Sequence, residues 1–265
     1  MLKRRILIHM LIAVSILLGL ASCKSRADRA YQPKINPEFL ELSKEELFER
    51  GDELFEKEKW TKAREYFTYV YENFPNDPLS SRSLLRIADT YFNQGGDVNL
   101  VEAQYKYRDF INRFPTNDRA DYAMLQIANV AYEQMEKPDR DQTKTYEAIQ
   151  KFREMLQLYP GSPHRAQAEE RLREAMDNLA EHERLVATFY LKRKDFEAAL
   201  PRLETVLERY PNFSKMDVVF YQMGVALSGL GREGEARLYF ERVLAEYPES
   251  KIAAAAREEI TKIEG

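Results

Sequence analysis

Residues 224–248 read GVALSGLGREGEARLYFERVLAEYP. Within them Gly224, Leu227, Ala236, Phe240, Val243 and Pro248 stand three, nine, four, three and five residues apart. Apolar residues at these intervals fit two helices packed antiparallel. A small residue on each helix, Gly224 and Ala236, lets the backbones approach. Phe240 and Val243 fill the seam, and Pro248 ends the second helix because it supplies no N–H to the ladder.

The same ruler fits elsewhere. Gly51, Leu54, Ala63, Phe67, Val70 and Pro75 repeat every interval, and so do Ala187, Tyr190, Ala199, Leu203, Val206 and Pro211. Two further second helices carry Ala103, Tyr107, Phe110, Pro115 and Ala148, Phe152, Met155, Pro160. Their first helices carry Ala88 with Tyr91 and Ala128 with Ala131. Each unit ends in an aromatic-Pro pair: Phe74-Pro75, Phe114-Pro115, Tyr159-Pro160, Tyr210-Pro211, Tyr247-Pro248. These spacings are those of the tetratricopeptide repeat (TPR). The expected fold is all-α, a TPR-type α-solenoid of five helix-turn-helix repeats with a C-terminal capping helix over 252–263. The loop between the two helices is expected to be about three residues longer than the motif in the second repeat and about eight longer in the third.

The N-terminus reads differently. Lys3, Arg4 and Arg5 precede an apolar run from Ile6 to Leu20, then Ala21-Ser22-Cys23. Length and flanks are those of a signal peptide, too short for a comfortable span. Leu20-Ala21-Ser22-Cys23 resembles the lipobox of bacterial lipoproteins. That resemblance implies cleavage before Cys23, a diacylglycerol on its thiol and an acyl chain on its new amino group. At roughly 0.8 kcal/mol per buried methylene, two or three chains anchor firmly where one is marginal. Lys24 follows the cysteine in place of an inner-membrane retention Asp, which points to the outer membrane. The expected division is a signal at 1–22, a tether at 23–42, three repeats at 43–162, and two repeats with the cap at 163–265. The tether carries Pro33 and Pro37 and no helical period.

Ser43-Lys44-Glu45-Glu46 is a capping box that opens the first helix. Asp77-Pro78 and Ser162-Pro163 each place a cap residue before Pro at a first helical position, and Ser214 and Ser250 stand as further caps. From His164 to about Lys194 there is neither Pro nor Gly. One long helix is expected there, ending the third repeat and opening the fourth.

Little in the chain speaks for chemistry. It contains no HExxH, CxxC, Gly-rich phosphate loop or GxSxG, and Cys23 is its single cysteine. A formal charge of -4 gives no basic footprint for nucleic acid. His182 lies between Glu181 and Glu183, but neighbours on a helix point about 100° apart, so the three do not converge. A structural histidine is the expectation. The reading is a binding protein, not an enzyme, with no metal and no soluble cofactor.

The candidate surface is the inner face of the first helices. Phe48, Asp52 and Phe55; Leu85, Asp89 and Phe92; Leu125, Asn129 and Tyr132 each follow i, i+4, i+7 spacing and so share a stripe. Phe55, Phe92 and Tyr132 would form an aromatic ladder, with Asp52, Asp89 and Asn129 as a polar row. Such a groove suits an extended or helical peptide. The alternative is that these side chains fill the superhelix interior or an N-terminal contact within the chain.

Several residues sharpen this into a family. Asp139-Arg140-Asp141-Gln142, Ala148, Phe152, Tyr159-Pro160, Ser162, Ala166, Ala168, Arg171, the run Leu179-Ala180-Glu181-His182-Glu183, Val186-Ala187, Tyr190 and Arg193 resemble the BamD (ComL) family of outer-membrane β-barrel assembly lipoproteins. The resemblance implies that the N-terminal groove receives unfolded outer membrane protein clients. It also implies that the C-terminal repeats hold BamA, with Arg202 on that side, alongside other Bam subunits and the membrane reached through the lipid anchor. Pro201 beside Arg202 and the Gly95–Leu100 insertion depart from the pattern. Another periplasmic TPR lipoprotein, a secretin pilotin or a Tol-Pal-associated coordinator, is the competing reading.

Overall fold

The computed structural model describes residues 36–265. The signal and Cys23 lie outside the described residues, as does most of the expected tether. Every regular element among the described residues is a helix. Two units are distinguished, with the boundary after Leu42. The described part of the first holds one short helix, α1 (Glu38–Glu41), whose Glu38 amide donates to Asn36 Oδ1 at 3.2 Å.

The second unit, Ser43–Gly265, is a ladder of antiparallel helix pairs. These are α2 (Lys44–Glu56) with α3 (Trp60–Asn73), α4 (Pro78–Gln94) with α5 (Asp97–Arg113), and α6 (Ala120–Glu133) with α7 (Thr143–Leu158). Then come the long α8 (Arg165–Lys192) with α9 (Phe196–Arg209), α10 (Met216–Gly229) with α11 (Glu233–Glu246), and the cap α12 (Ala253–Glu264). Each helix packs mainly on the next, so the core runs along the stack. The all-α TPR architecture expected from the spacing is the architecture found.

The small residues act where the ruler placed them. A Cβ added at Gly51 would lie 2.6 Å from the Phe67 ring, and one at Gly224 would lie 2.5 Å from the Phe240 ring. Phe67, Phe152 and Phe240 are fully buried, as are Ala63, Ala148 and Ala236. Helix α8 is 28 residues long and belongs to two apolar clusters. Ala168 joins the cluster of α4 to α7, and Ala175, Leu179, Ala180 and Ala187 join that of α9 to α12.

The aromatic-Pro pairs build one turn five times. The amide three residues past each aromatic donates to that aromatic's carbonyl: Asp77 to Phe74, Asn117 to Phe114, Ser162 to Tyr159, Phe213 to Tyr210 and Ser250 to Tyr247, all at 3.0–3.1 Å. Proline ends the helix and fixes φ, and the second residue after it closes the turn.

Some local expectations need correction. Ser43 and Glu46 do form the capping box, and Asp77 does cap α4 through the Leu79 amide. Ser162 and Ser250, however, stand two residues before their N-caps, His164 and Ile252. Each hydroxyl instead accepts the amide two residues on and donates to an Asp of the preceding pair's first helix, Asp121 or Asp217. Ser214 makes no cap, and α10 starts without a side-chain cap at Lys215. The second-repeat insertion is not a longer loop. Only Gly95 and Gly96 separate α4 from α5, both at positive φ, and the additional residues lengthen helix, with 17 residues in each partner.

Candidate functional site

A cavity of about 630 Å³ opens between the first helices of repeats one and two and the start of α6. Phe48 and Asp52 of α2 line it with Leu85, Arg86 and Asp89 of α4, and Tyr122 of α6. The i, i+4 spacing on α2 and on α4 turns each set to one side, and the Phe114–Asn117 turn brings α6 alongside.

At its floor sits a buried carboxylate. Asp89 is 6% exposed. Its Oδ1 accepts from Tyr107 Oη at 2.7 Å and Tyr122 Oη at 2.9 Å, and Arg86 Nη1 stands 3.8 Å from Oδ2. Burial raises the Asp89 pKa, while the two hydroxyl donors and the guanidinium groups of Arg86 and Arg119 pull the other way. Burial also pushes the Tyr107 and Tyr122 hydroxyls upward, with Asp89 adding to it, so both remain donors.

Above this floor the guanidinium groups divide. Arg86 donates through Nε to Asp52 Oδ1 at 2.8 Å, its Nη2 stands 2.8 Å from the same oxygen in an ion pair, and the group lies 4.4 Å over the Phe55 ring. Arg82 lies 4.6 Å over Phe48 and Arg119 lies 5.9 Å over Tyr122. Both of the latter are exposed and line the cavity, and neither is ion-paired among the described residues. Asp118 stands at the lip.

The structure therefore brings together Phe48, Asp52 and Asp89 of the expected groove, with Phe55 behind Arg86. It does not extend the set into a continuous ladder. Phe92 is half-buried against the core of repeats two and three. Tyr132 donates to Glu174 Oε2 at 2.5 Å and sits edge-on to Phe152. The hydrogen bond to Glu174, then burial, pushes its pKa up to about 12. Asn129 is 2% exposed; its amide nitrogen donates to Gln126 and its Oδ1 has no hydrogen-bond partner. The polar row thus leaves the groove after Asp89, because Asn129 belongs to the packed interior. No ring contact joins Phe55, Phe92 and Tyr132.

Tyr122, Arg82 and Arg119 escaped the sequence reading, and Tyr107 enters it as a seam residue and not as part of the site. One signal was available: Tyr107 fills the seam position held by Phe67, Phe152 and Phe240 in other repeats, and its hydroxyl in a core needs an acceptor.

On the C-terminal side, Arg202 Nη1 pairs with Glu183 Oε2 at 3.1 Å, tying α9 to α8, and stays half-exposed. Pro201 is accommodated inside α9, which remains one helix. His182 is structural, as expected. Its Nδ1 donates to the Pro138 carbonyl at 2.7 Å, and Asn178 donates to the Glu136 carbonyl at 3.0 Å. Together they pin the long third-repeat loop to α8. Among the described residues no group of three or more His, Cys, Asp or Glu is placed to hold a metal, and no helix is long and apolar enough to cross a membrane.

Comparison with known proteins adds to this geometry. A family model described as "YfiO: Outer membrane lipoprotein" matches residues 41–237. Outer membrane protein assembly factor BamD of Caulobacter vibrioides is 28% identical over 226 residues, 85% of this chain and 72% of its own. BamD of Rickettsia prowazekii is 26% identical over 250 residues, 92% of each chain. Among solved structures, the TPR2AB-domain complex of yeast Sti1 aligns over 83% of both chains at 15% identity with a TM-score of 0.46.

Proposed function

The chain belongs to the YfiO outer membrane lipoprotein family, and we propose that it is an assembly factor for outer-membrane β-barrel proteins, acting by binding rather than catalysis. Acylated Cys23 holds it at the periplasmic face of the outer membrane. The N-terminal repeats receive unfolded barrel clients, and the C-terminal repeats, with Arg202, hold BamA. The names of its relatives support the assembly role.

The observation that carries the client reading is the cavity of repeats one and two. It combines aromatic faces, Phe48 and Tyr122, with a fixed polar floor at Asp89 and guanidinium groups at its mouth. Aromatic faces take side chains of an extended segment, and the polar floor orients them. Phe48, Asp52 and Asp89 frame this site, with Phe55 behind Arg86. Two α-helical surfaces on one rigid solenoid let a client be held while the partner that accepts it stays docked.

The test is a pulldown of tagged, detergent-solubilised protein, with co-purified proteins identified by mass spectrometry. BamA as main partner is expected, and Arg202→Glu, which faces Glu183 with a like charge, is expected to remove it. Recovery of a secretin or of Tol components without BamA would contradict the reading. Cys23→Ser is expected to leave the protein in the soluble periplasmic fraction.

A further inference from the structure

Helix α5 is apolar on two opposite sides. Leu100, Ala103, Tyr107 and Phe110 are buried and pack it into the stack. About 180° around the axis, Val98, Val101 and Tyr105 follow i, i+3, i+7 spacing and share a stripe. They are 79%, 59% and 62% exposed, so nothing among the described residues covers them. The stripe starts just after Gly96, where this chain departs from the family pattern and the added residues form helix. An outer apolar stripe on a helix that is already packed fits the face of a second helix.

The charges beside the stripe select that helix. Asp97 and Arg108 stand eleven residues apart, about three turns, on one flank, and Glu102 and Lys106 stand four apart on the other. On each flank the acid lies toward the N-terminus and the base toward the C-terminus. None of the four makes an ion pair among the described residues, whereas Asp109 and Arg113 pair with each other. In a two-fold pair of antiparallel helices each flank meets its own copy reversed. Asp97 then faces Arg108 of the second copy, and Glu102 faces its Lys106, each contact occurring twice. The two helix dipoles also oppose favourably. An axis near Ala103 lays Val101 on the second copy's Tyr105.

We infer that α5 is a self-association face: two copies of this chain pair antiparallel through Val98, Val101 and Tyr105. Asp97 and Glu102 over Arg108 and Lys106 set the register. This goes beyond the assembly role above. The charges act mainly as a specificity device, since exposed pairs add little strength. One helix stripe is also a small area, so pairing is weak in free solution. Chains confined to one membrane surface meet at a raised effective concentration, and that confinement brings the pair together.

The experiment co-expresses two differently tagged full-length chains, each with one introduced cysteine, and oxidises intact cells. The unsubstituted pair, whose one cysteine is Cys23, sets the blank. Val101→Cys with Tyr105→Cys is expected to give at least about five times the disulfide dimer of Val98→Cys with itself. The two copies of position 98 would stand roughly 15 Å apart along the axis, beyond disulfide reach. Leu238→Cys, exposed on α11, is expected to stay at the Val98 level. Adding Asp97→Arg alone, or Arg108→Asp alone, to both cross-linking chains is expected to lower the dimer at least about threefold. Adding Asp97→Arg/Arg108→Asp together is expected to restore it, which only a self-complementary pair allows. All substituted positions are exposed, and matching thermal melts are expected to show that the variants fold. Equal cross-linking at every position, or no dimer above the blank, would overturn the pairing. A Val101→Cys cross-link chiefly to a different protein would overturn it as well and assign the stripe to that partner. Each of these results leaves the assembly role standing, since that role is tested by the pulldown.

Discussion

The second repeat and the fifth use one motif and fill it differently. In repeat five the seam holds Phe240 against Gly224, with a Cβ-to-ring distance that leaves no room for a larger residue, and the position after the glycine is Val225. In repeat two the seam holds Tyr107 against Ala88, and the next position is Asp89, whose carboxylate takes the Tyr107 hydroxyl. The apolar seam is a pure packing joint. The polar one is also a packing joint, but its chemistry leaks to the surface, since Asp89 takes a second hydroxyl from Tyr122 on the cavity wall. A repeat protein can thus keep its stack uniform and change a single joint to create a site.

Breaking the apolar joint should have the largest effect. Phe240→Ala removes a fully buried ring and is expected to lower stability by about 3–5 kcal/mol in urea unfolding. The polar joint should respond more weakly and in another way. Tyr107→Phe leaves the shape but takes one donor from Asp89, for a loss of about 1–3 kcal/mol. The pH dependence separates the two joints further. Because burial raises the Asp89 pKa in the folded protein, its contribution is fully present below the unfolded value of 3.8 and is lost as pH rises through the raised folded value. The melting temperature of Asp89→Asn should therefore gain on the unsubstituted protein as pH rises through that window, while Phe240→Ala shows no such trend. Smallest is Arg202→Ala. Its ion pair with Glu183 is half-exposed, so a cost of no more than about 1 kcal/mol is expected in the same unfolding assay.

The apolar joint was legible in the sequence, and the polar one only in part. Residues that let helices touch must be small or aromatic at fixed phases, so Gly51, Ala63, Phe67 and their counterparts announce the pairs. The absence of breakers between His164 and Lys194 announces α8. Asp89 also surfaced, because its i, i+4 position on the inner stripe is local. Its hydrogen bonds did not. Tyr107 and Tyr122 lie 18 and 33 residues away on two other helices, and only the stacking angle brings them together. For the same reason Arg82 and Arg119 passed unnoticed, and Asn129 was expected in a groove from which packing withdraws it. The second-repeat insertion misled for a different cause: Gly95 and Gly96 make so tight a turn that the spare residues became helix.

The central claim is that the two halves carry separable tasks, client capture at the cavity and partner docking at Arg202. The most direct measurement is a parallel pulldown of Arg82→Gln/Arg119→Gln and Arg202→Glu from cells expressing a barrel client. The first variant is expected to lose the client and keep BamA, and the second to lose BamA while still binding a client peptide in vitro. Loss of both partners by both variants, or by neither, would contradict the division of labour.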